Sequence, residues 1–103
     1  MSVKTIAWAA PFVAAALAGN AWGADIGEGQ RIYQMHCVAC HGVRGESVIP
    51  DAPSFARGDR LMQPDMALMM TVKTGKNAMP SFNGILRDQQ ILDVVAYLRT
   101  LRR

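Results

Sequence analysis

Cys37-Val38-Ala39-Cys40-His41 places two thiols and an imidazole within five consecutive residues. A C-x-x-C-H run suits covalent attachment of haem: each thiol adds to one vinyl group, and the histidine beside the second bond takes the iron. Side chains three and four apart on a helix share a face, so Cys37, Cys40 and His41 can address one side of a porphyrin. Two other chemistries use cysteines at this spacing, a redox dithiol and half of a zinc site. Zinc would need further ligands, and the only other histidine, His36, is adjacent to Cys37 and turned about 100° away from it on a helix. A redox dithiol would sit in a strand-helix-strand unit, and nothing in the chain reads as strand. Haem attachment remains. Farther along, Met79-Pro80 offers a thioether in a polar, turn-rich segment from Thr74 to Gly84, where Pro80 stiffens the backbone. Met79 is therefore the candidate second iron ligand. Met62, Met66, Met69 and Met70 stand in or beside a helical pattern and read as core filler.

Three helices must position these groups. Ile26 to about Cys40 reads as the first, with Asp25 as its cap, Glu28 at the positive end of the dipole, and Ile32, Met35 and Val38 at helical spacing. Gly29 inside it lowers helix propensity by about 1 kcal/mol against alanine, which points to another helix crossing there. From Gly42 to Pro64 glycines and prolines interrupt every apolar period. A loop of that length in a small domain is expected to wrap something, with Val48, Ile49, Phe55, Leu61 and Met62 as its apolar contacts. Pro50 is the candidate whose carbonyl accepts the free ring N–H of His41, fixing the imidazole and raising its basicity. Pro64 opens a second helix to about Lys73, stopped by Gly75. The last helix runs from Asp88 to Leu101, with Ile91, Val94, Val95, Leu98 and Leu101 as one stripe. Ala96 and Tyr97 are expected to meet Gly29 and Tyr33, closing the fold.

The chain opens with Lys4 and an alanine-rich apolar run from Ile6 to Leu17, followed by Ala21-Trp22-Gly23. That is the form of a secretory signal with a small-x-small cleavage site. Residues 1–23 are expected to be removed and 24–103 to form one domain. An uncleaved anchor is the rival, and the run falls short of the roughly 18 apolar residues a span needs. The expected mature chain of 80 residues buries a thin core and calls for a staple, which haem would supply. Its ten basic residues, eleven less Lys4, face eight acidic ones, a balance that does not suggest nucleic acid. Export would take both thiols into an oxidising compartment, the periplasm, where a disulfide competes with haem attachment.

In this order, Gly29 and Tyr33, Cys37 to His41, Pro50, Met79-Pro80 and Val94-Val95-Ala96-Tyr97-Leu98 resemble the class I c-type cytochromes over the whole expected mature chain. The resemblance implies an all-α fold, three main helices wrapped round one covalent haem c, with the N- and C-terminal helices crossing. It also implies His41 and Met79 as axial ligands. The stretch from Pro50-Asp51-Ala52-Pro53 through Met62-Gln63-Pro64-Asp65 to Met79-Pro80 is similar to the small monohaem cytochromes that nitrite-respiring bacteria encode beside their haem-c/haem-d nitrite reductase. Relatives often set a tryptophan against a haem propionate; residues 24–103 contain none, so Arg57 or Arg60 is the candidate there. Where relatives cap the last helix with Ser or Thr this chain has Arg87, leaving Asp88 and Gln90 to satisfy the first amides.

With protein donors on both sides of the iron, the expected chemistry is one-electron transfer by a monomeric periplasmic carrier, not an enzyme and without a membrane anchor once the signal is gone. A quinol-oxidising complex would be the donor, and a periplasmic reductase, such as nitrite reductase, or an oxidase the acceptor. Lys73, Lys76, Arg57 and Arg60 are candidates to steer an acidic partner. The alternative from another class is a haem-handling or maturation factor for the reductase, in which Met79 is labile.

Overall fold

The computed structural model describes residues 23–103. The expected leader falls almost wholly on residues 1–22, outside the described residues. Four α-helices are present among the described residues: α1 (Ile26–His36), α2 (Val38–His41), α3 (Asp65–Thr74) and α4 (Asp88–Thr100). No strand occurs among the described residues, only isolated bridges pairing Lys76 with Met79 and Asn83 with Leu86.

The carboxylate of Asp25 caps α1 by accepting from the Glu28 amide at 3.0 Å, which satisfies one of the helix's free donors. Glu28 pairs with Arg31 at 2.6 Å. The expected long first helix is in fact two. At Cys37 the backbone (φ −115, ψ −23) departs from helical values, and the single turn of α2 follows. Met35 consequently joins no core stripe and is 63% exposed, whereas Ile32 and Tyr33 are buried.

The α1–α4 crossing organises the core. Gly29 lies so close to α4 that a Cβ there would overlap the carbonyl of Asp93 and press on the Val94 nitrogen. The close approach therefore falls one turn before Ala96 and Tyr97. Tyr97 does meet Tyr33, ring centroids 5.3 Å apart. Ile91, Val94, Val95 and Leu98 bury the facing stripe of α4. At its start, the Gln90 side chain accepts from the Arg87 amide at 2.9 Å; Asp88 turns away to pair with Lys73 at 3.0 Å.

Pro64 precedes α3, and Leu68 and Met69 are its buried residues. Met69 alone of the four methionines is core; Met62, Met66 and Met70 are exposed, so the core-filler reading holds for one of them. Arg99 of α4 ties the entry to α3, donating to the carbonyls of Leu61 (2.6 Å) and Gln63 (2.9 Å) and to the Asp65 carboxylate (2.7 Å).

The segment between α2 and α3 is irregular but not loose. A 3₁₀ turn spans Phe55–Arg57. The buried Ser54 hydroxyl accepts from the Ser47 amide at 2.9 Å, the Ala56 amide donates to Gly45, and the Arg103 amide donates to Ala56. The Asp59 carboxylate accepts from the Ser54 amide at 2.9 Å and from Arg57 at 2.8 Å. Those two partners, the amide first, hold its carboxyl below the usual carboxylate range. Phe55 and Leu61 from this segment enter the core, whereas Val48 and Ile49 stay exposed.

Two outcomes follow for unfolding experiments. Gly29→Ala is expected to lower stability by roughly 1–3 kcal/mol, because backbone on backbone cannot yield without shifting α4. Gly27→Ala, whose Cβ meets only Asp25 in ordinary contact, is expected to be neutral or to gain up to about 1 kcal/mol of helix propensity; equal losses at both positions in denaturant titrations would contradict the crossing. The contribution of Asp59 is present above the ordinary carboxylate range and is lost as pH falls through its depressed folded value. Asp59→Asn should therefore lower the thermal midpoint near neutral pH and flatten its fall on acidification.

Candidate functional site

The turn of α2 brings the three groups of the motif together. Cys37 and Cys40 are both free thiols, Cys37 half-buried and Cys40 exposed. Burial, with the neighbouring Cys40 adding to it, pushes the Cys37 thiol up to about 11, so it is held as the neutral thiol. His41 is buried. Its Nδ1 donates to the carbonyl of Pro53 at 3.1 Å, and its ring stacks on Phe55 with centroids 4.6 Å apart. Desolvation lowers its pKa, partly offset by the Pro53 carbonyl. The product is a neutral imidazole of fixed tautomer with Nε2 uncommitted among the described residues, which is the form that binds a metal.

The acceptor is Pro53, not Pro50. Asp51 takes a left-handed conformation (φ 72), and the turn it makes reverses the chain between the two prolines. Pro50 is thereby left exposed. Sequence distance from His41 could not reveal that reversal. The expectation also missed the Tyr33 hydroxyl, which is buried and donates to the carbonyl of Gly42, the residue after His41, at 2.6 Å. Burial raises the pKa of Tyr33 strongly, so the phenol remains a donor. Its aromatic type at a core position was legible; the use of its oxygen was not.

Met79 is half-buried in a tight turn. The Lys76 and Met79 backbones exchange hydrogen bonds of 3.0 and 2.9 Å, with Asn77 left-handed (φ 54) between them. Immediately afterwards the chain is pinned to the end of α3: the Phe82 and Asn83 amides donate to the carbonyls of Val72 and Lys73, and the Ser81 hydroxyl donates to Lys73 at 2.7 Å. Gly75 makes this possible. It stands at φ 81, and a Cβ there would lie 2.8 Å from both the Met79 carbonyl and the Ser81 nitrogen. Gly75 thus ends α3 and also admits the methionine loop. Phe82, itself buried, meets the exposed His36 ring edge-on with centroids 5.5 Å apart. That contact joins the methionine loop to the end of the helix leading into the thiols.

Arg57 is largely exposed and paired with Asp59 at 2.8 Å, and it lines a surface depression with Pro53 and Arg60. Lys73 is taken by Asp88. No cluster of three or more His, Cys, Asp and Glu side chains suited to a bare metal ion occurs among the described residues. The residues do fit haem. Two free thiols and a fixed neutral imidazole lie together at α2, Met79 offers a thioether from the later turn, and the segment after His41 exposes apolar Val43, Val48 and Ile49. Val48 is joined to Cys40 through a 3.0 Å hydrogen bond from its amide.

Residues 24–98 match the family described as cytochrome c oxidase, cbb3-type, subunit III. The chain is 38% identical over 86 residues to cytochrome c6 of Synechococcus sp., covering 80% of this chain and 75% of the relative. It is 37% identical over 79 residues to cytochrome c6 of the alga Gracilaria tenuistipitata, covering 75% and 73%. The crystal structure of cytochrome c6 from the diatom Phaeodactylum tricornutum superposes with a TM-score of 0.62 at 33% identity, over 74% of this chain and 92% of the other. A c-type cytochrome designated KustC0563 shares the fold, with a TM-score of 0.67 at 23% identity over 73% and 98%. The helix crossing, the thiol pair and these relatives agree that the chain belongs to the class I c-type cytochromes, electron-transfer proteins rather than enzymes, with one haem c bound covalently through Cys37 and Cys40.

Proposed function

We propose that this cytochrome is a periplasmic one-electron carrier in which His41 through Nε2 and Met79 through its sulfur would hold the haem iron. The observation that carries the reading is the Pro53 carbonyl on His41 Nδ1, which orients the ring and leaves the opposite nitrogen for a metal. Haem, when bound, supplies an iron that changes oxidation state by one electron. The chain's own part is to hold its donors still in both states. Pro53 and Phe55 fix the imidazole, while the anchoring of residues 81–83 on α3 limits the travel of Met79. A thioether opposite histidine raises the reduction potential, and apolar surroundings act in the same direction by solvating charge poorly.

The sequence features at Lys4, Ile6 to Leu17 and Ala21-Trp22-Gly23 support export and cleavage ahead of Ala24, leaving residues 24–103 as the working domain. No described helix is long and apolar enough to cross a membrane. Arg57 or Arg60 takes a haem propionate, a role supported by their shared depression beside Pro53. Exposed Lys76 and Arg60, with no ion pair among the described residues, favour an acidic docking partner. Electrons come from a quinol-oxidising complex and pass to a periplasmic reductase or oxidase. The similarity of the Pro50 to Pro80 stretch to the cytochromes of nitrite-respiring bacteria favours nitrite reductase as that acceptor.

Absorption spectra of the exported protein test the ligand set. The ferric form should carry the weak far-red sulfur-to-iron band, and the ferrous form should not bind carbon monoxide. Met79→Ala should abolish the band and bind carbon monoxide promptly. Prompt binding by the unaltered protein would remove Met79 as a ligand and favour the haem-handling role. For the acceptor, stopped-flow mixing of the reduced cytochrome with haem-c/haem-d nitrite reductase should show oxidation that slows as salt rises; failure to oxidise would exclude that partner.

A further inference from the structure

One buried charged group has no part in haem binding. Asp93 lies in the middle of α4, 5% exposed, at the point where α1 crosses. One carboxylate oxygen accepts from the Asp25 backbone amide at 2.8 Å and from the Gln89 side chain at 3.1 Å. The second has no partner among the described residues. A carboxylate buried this deeply is costly unless a positive charge compensates it, and no lysine, arginine or histidine pairs with it among the described residues. The atom that its bound oxygen grips is the key. Asp25 N–H is one residue from the backbone nitrogen of Ala24, within about 3.8 Å by chain geometry alone.

We propose that Asp93 is a receptor for the α-ammonium that removal of the leader creates on Ala24. The inference rests on the proposed cleavage between Gly23 and Ala24. Hydrolysis of that bond by a leader peptidase consumes one water, leaves a carboxylate on Gly23, and frees an amine on Ala24 that takes up a proton. Before cleavage the Ala24 nitrogen is a neutral amide with a single donor. Afterwards it is a cation with three donors, one residue before the amide that the Asp93 carboxylate already holds. Processing therefore completes the α1–α4 junction.

The surroundings favour a cation despite the positive end of α1. The acidic groups of this junction are Asp25, the cap of α1, Glu28 in its first turn, and Asp93 of α4, which accepts from the Asp25 amide. Glu28 is shared with Arg31; Arg87 stands at the start of α4, and Gln89 and Gln90 are neutral. The helix dipole disfavours an ammonium at this end, so a direct carboxylate partner is what holds it. The sign follows. A partnered ammonium has a raised pKa, so its stabilisation is complete below the ordinary α-amine value of about 7.7–8.0 and is lost as pH rises through the raised folded value.

The test uses exported holoprotein made with a foreign leader whose junction leaves Ala24 first, with the α-amine followed by nitrogen-15 NMR through a pH titration. The expected pKa is about one unit or more above the ordinary value, returning to it in Asp93→Asn. The thermal midpoint should fall between about pH 8 and 10 in the unaltered protein. That fall should vanish in a chain with Gly-Ser inserted before Ala24, whose sequence is otherwise intact. An α-amine titrating at the ordinary value, or one still raised in Asp93→Asn, overturns the proposal. Intact mass of protein exported on its natural leader checks the cleavage separately: a first residue other than Ala24 overturns the link to processing whatever the titration reads.

Discussion

The close approach of α1 to α4 at Gly29 is the constraint on which the rest depends. With no Cβ between them, the Gly29 backbone rests against the Asp93 carbonyl, closer than any other residue would allow. That distance decides what each neighbour can reach. It lets Tyr33 lie flat enough in the core to be wholly buried and to touch Tyr97. Tyr33 in turn holds the carbonyl after His41. The helix crossing thus bears on the position of His41 through the Tyr33 side chain and its hydrogen bond.

The two proposed ligands are supported by different means. His41 is held at its ring, the Pro53 carbonyl fixing the tautomer at one edge and Phe55 covering one face. Met79 has a flexible side chain with weak directional demands, and what is fixed is its backbone. The turn closed by Lys76 and the anchoring of Phe82 and Asn83 on α3 do that. Arg99 completes the arrangement by fastening the start of α3 to α4. The methionine loop is thereby referenced to the same helix as the core.

Much of this was legible in the sequence. The motif gave both thiols and the histidine, because covalent attachment demands a fixed spacing of fixed residue types. Helix existence followed from apolar period and from Asp25, Pro64 and Gly75 as punctuation, and Gly29 signalled a crossing by being unfavourable where it stood. What escaped was geometry made by backbone reversal. Pro53 rather than Pro50 accepts from His41 because Asp51 turns the chain, and a non-glycine residue at positive φ leaves little trace in a sequence. The break at Cys37 escaped because the period of Ile32, Met35 and Val38 continues through it. The exposure of Met62, Met66 and Met70 escaped because methionine type carries no facing information. Nothing in the apolar stripe of the last helix marks Asp93, and only the crossing shows it buried.

The pairing of α1 with α4 also dictates an order of assembly. These helices lie at opposite ends of the described chain, so their contact needs almost the whole sequence to be present and carries the entropic cost of closing a long loop. Until α4 arrives, α1 is a short amphipathic segment without a partner, too short to be stable alone, and the cysteines that follow it are open to solvent. Once the two helices meet, Cys37 is half-buried and its thiol is held neutral. Both sulfurs are therefore reachable for haem attachment only until α4 docks, and folding brings that interval to an end.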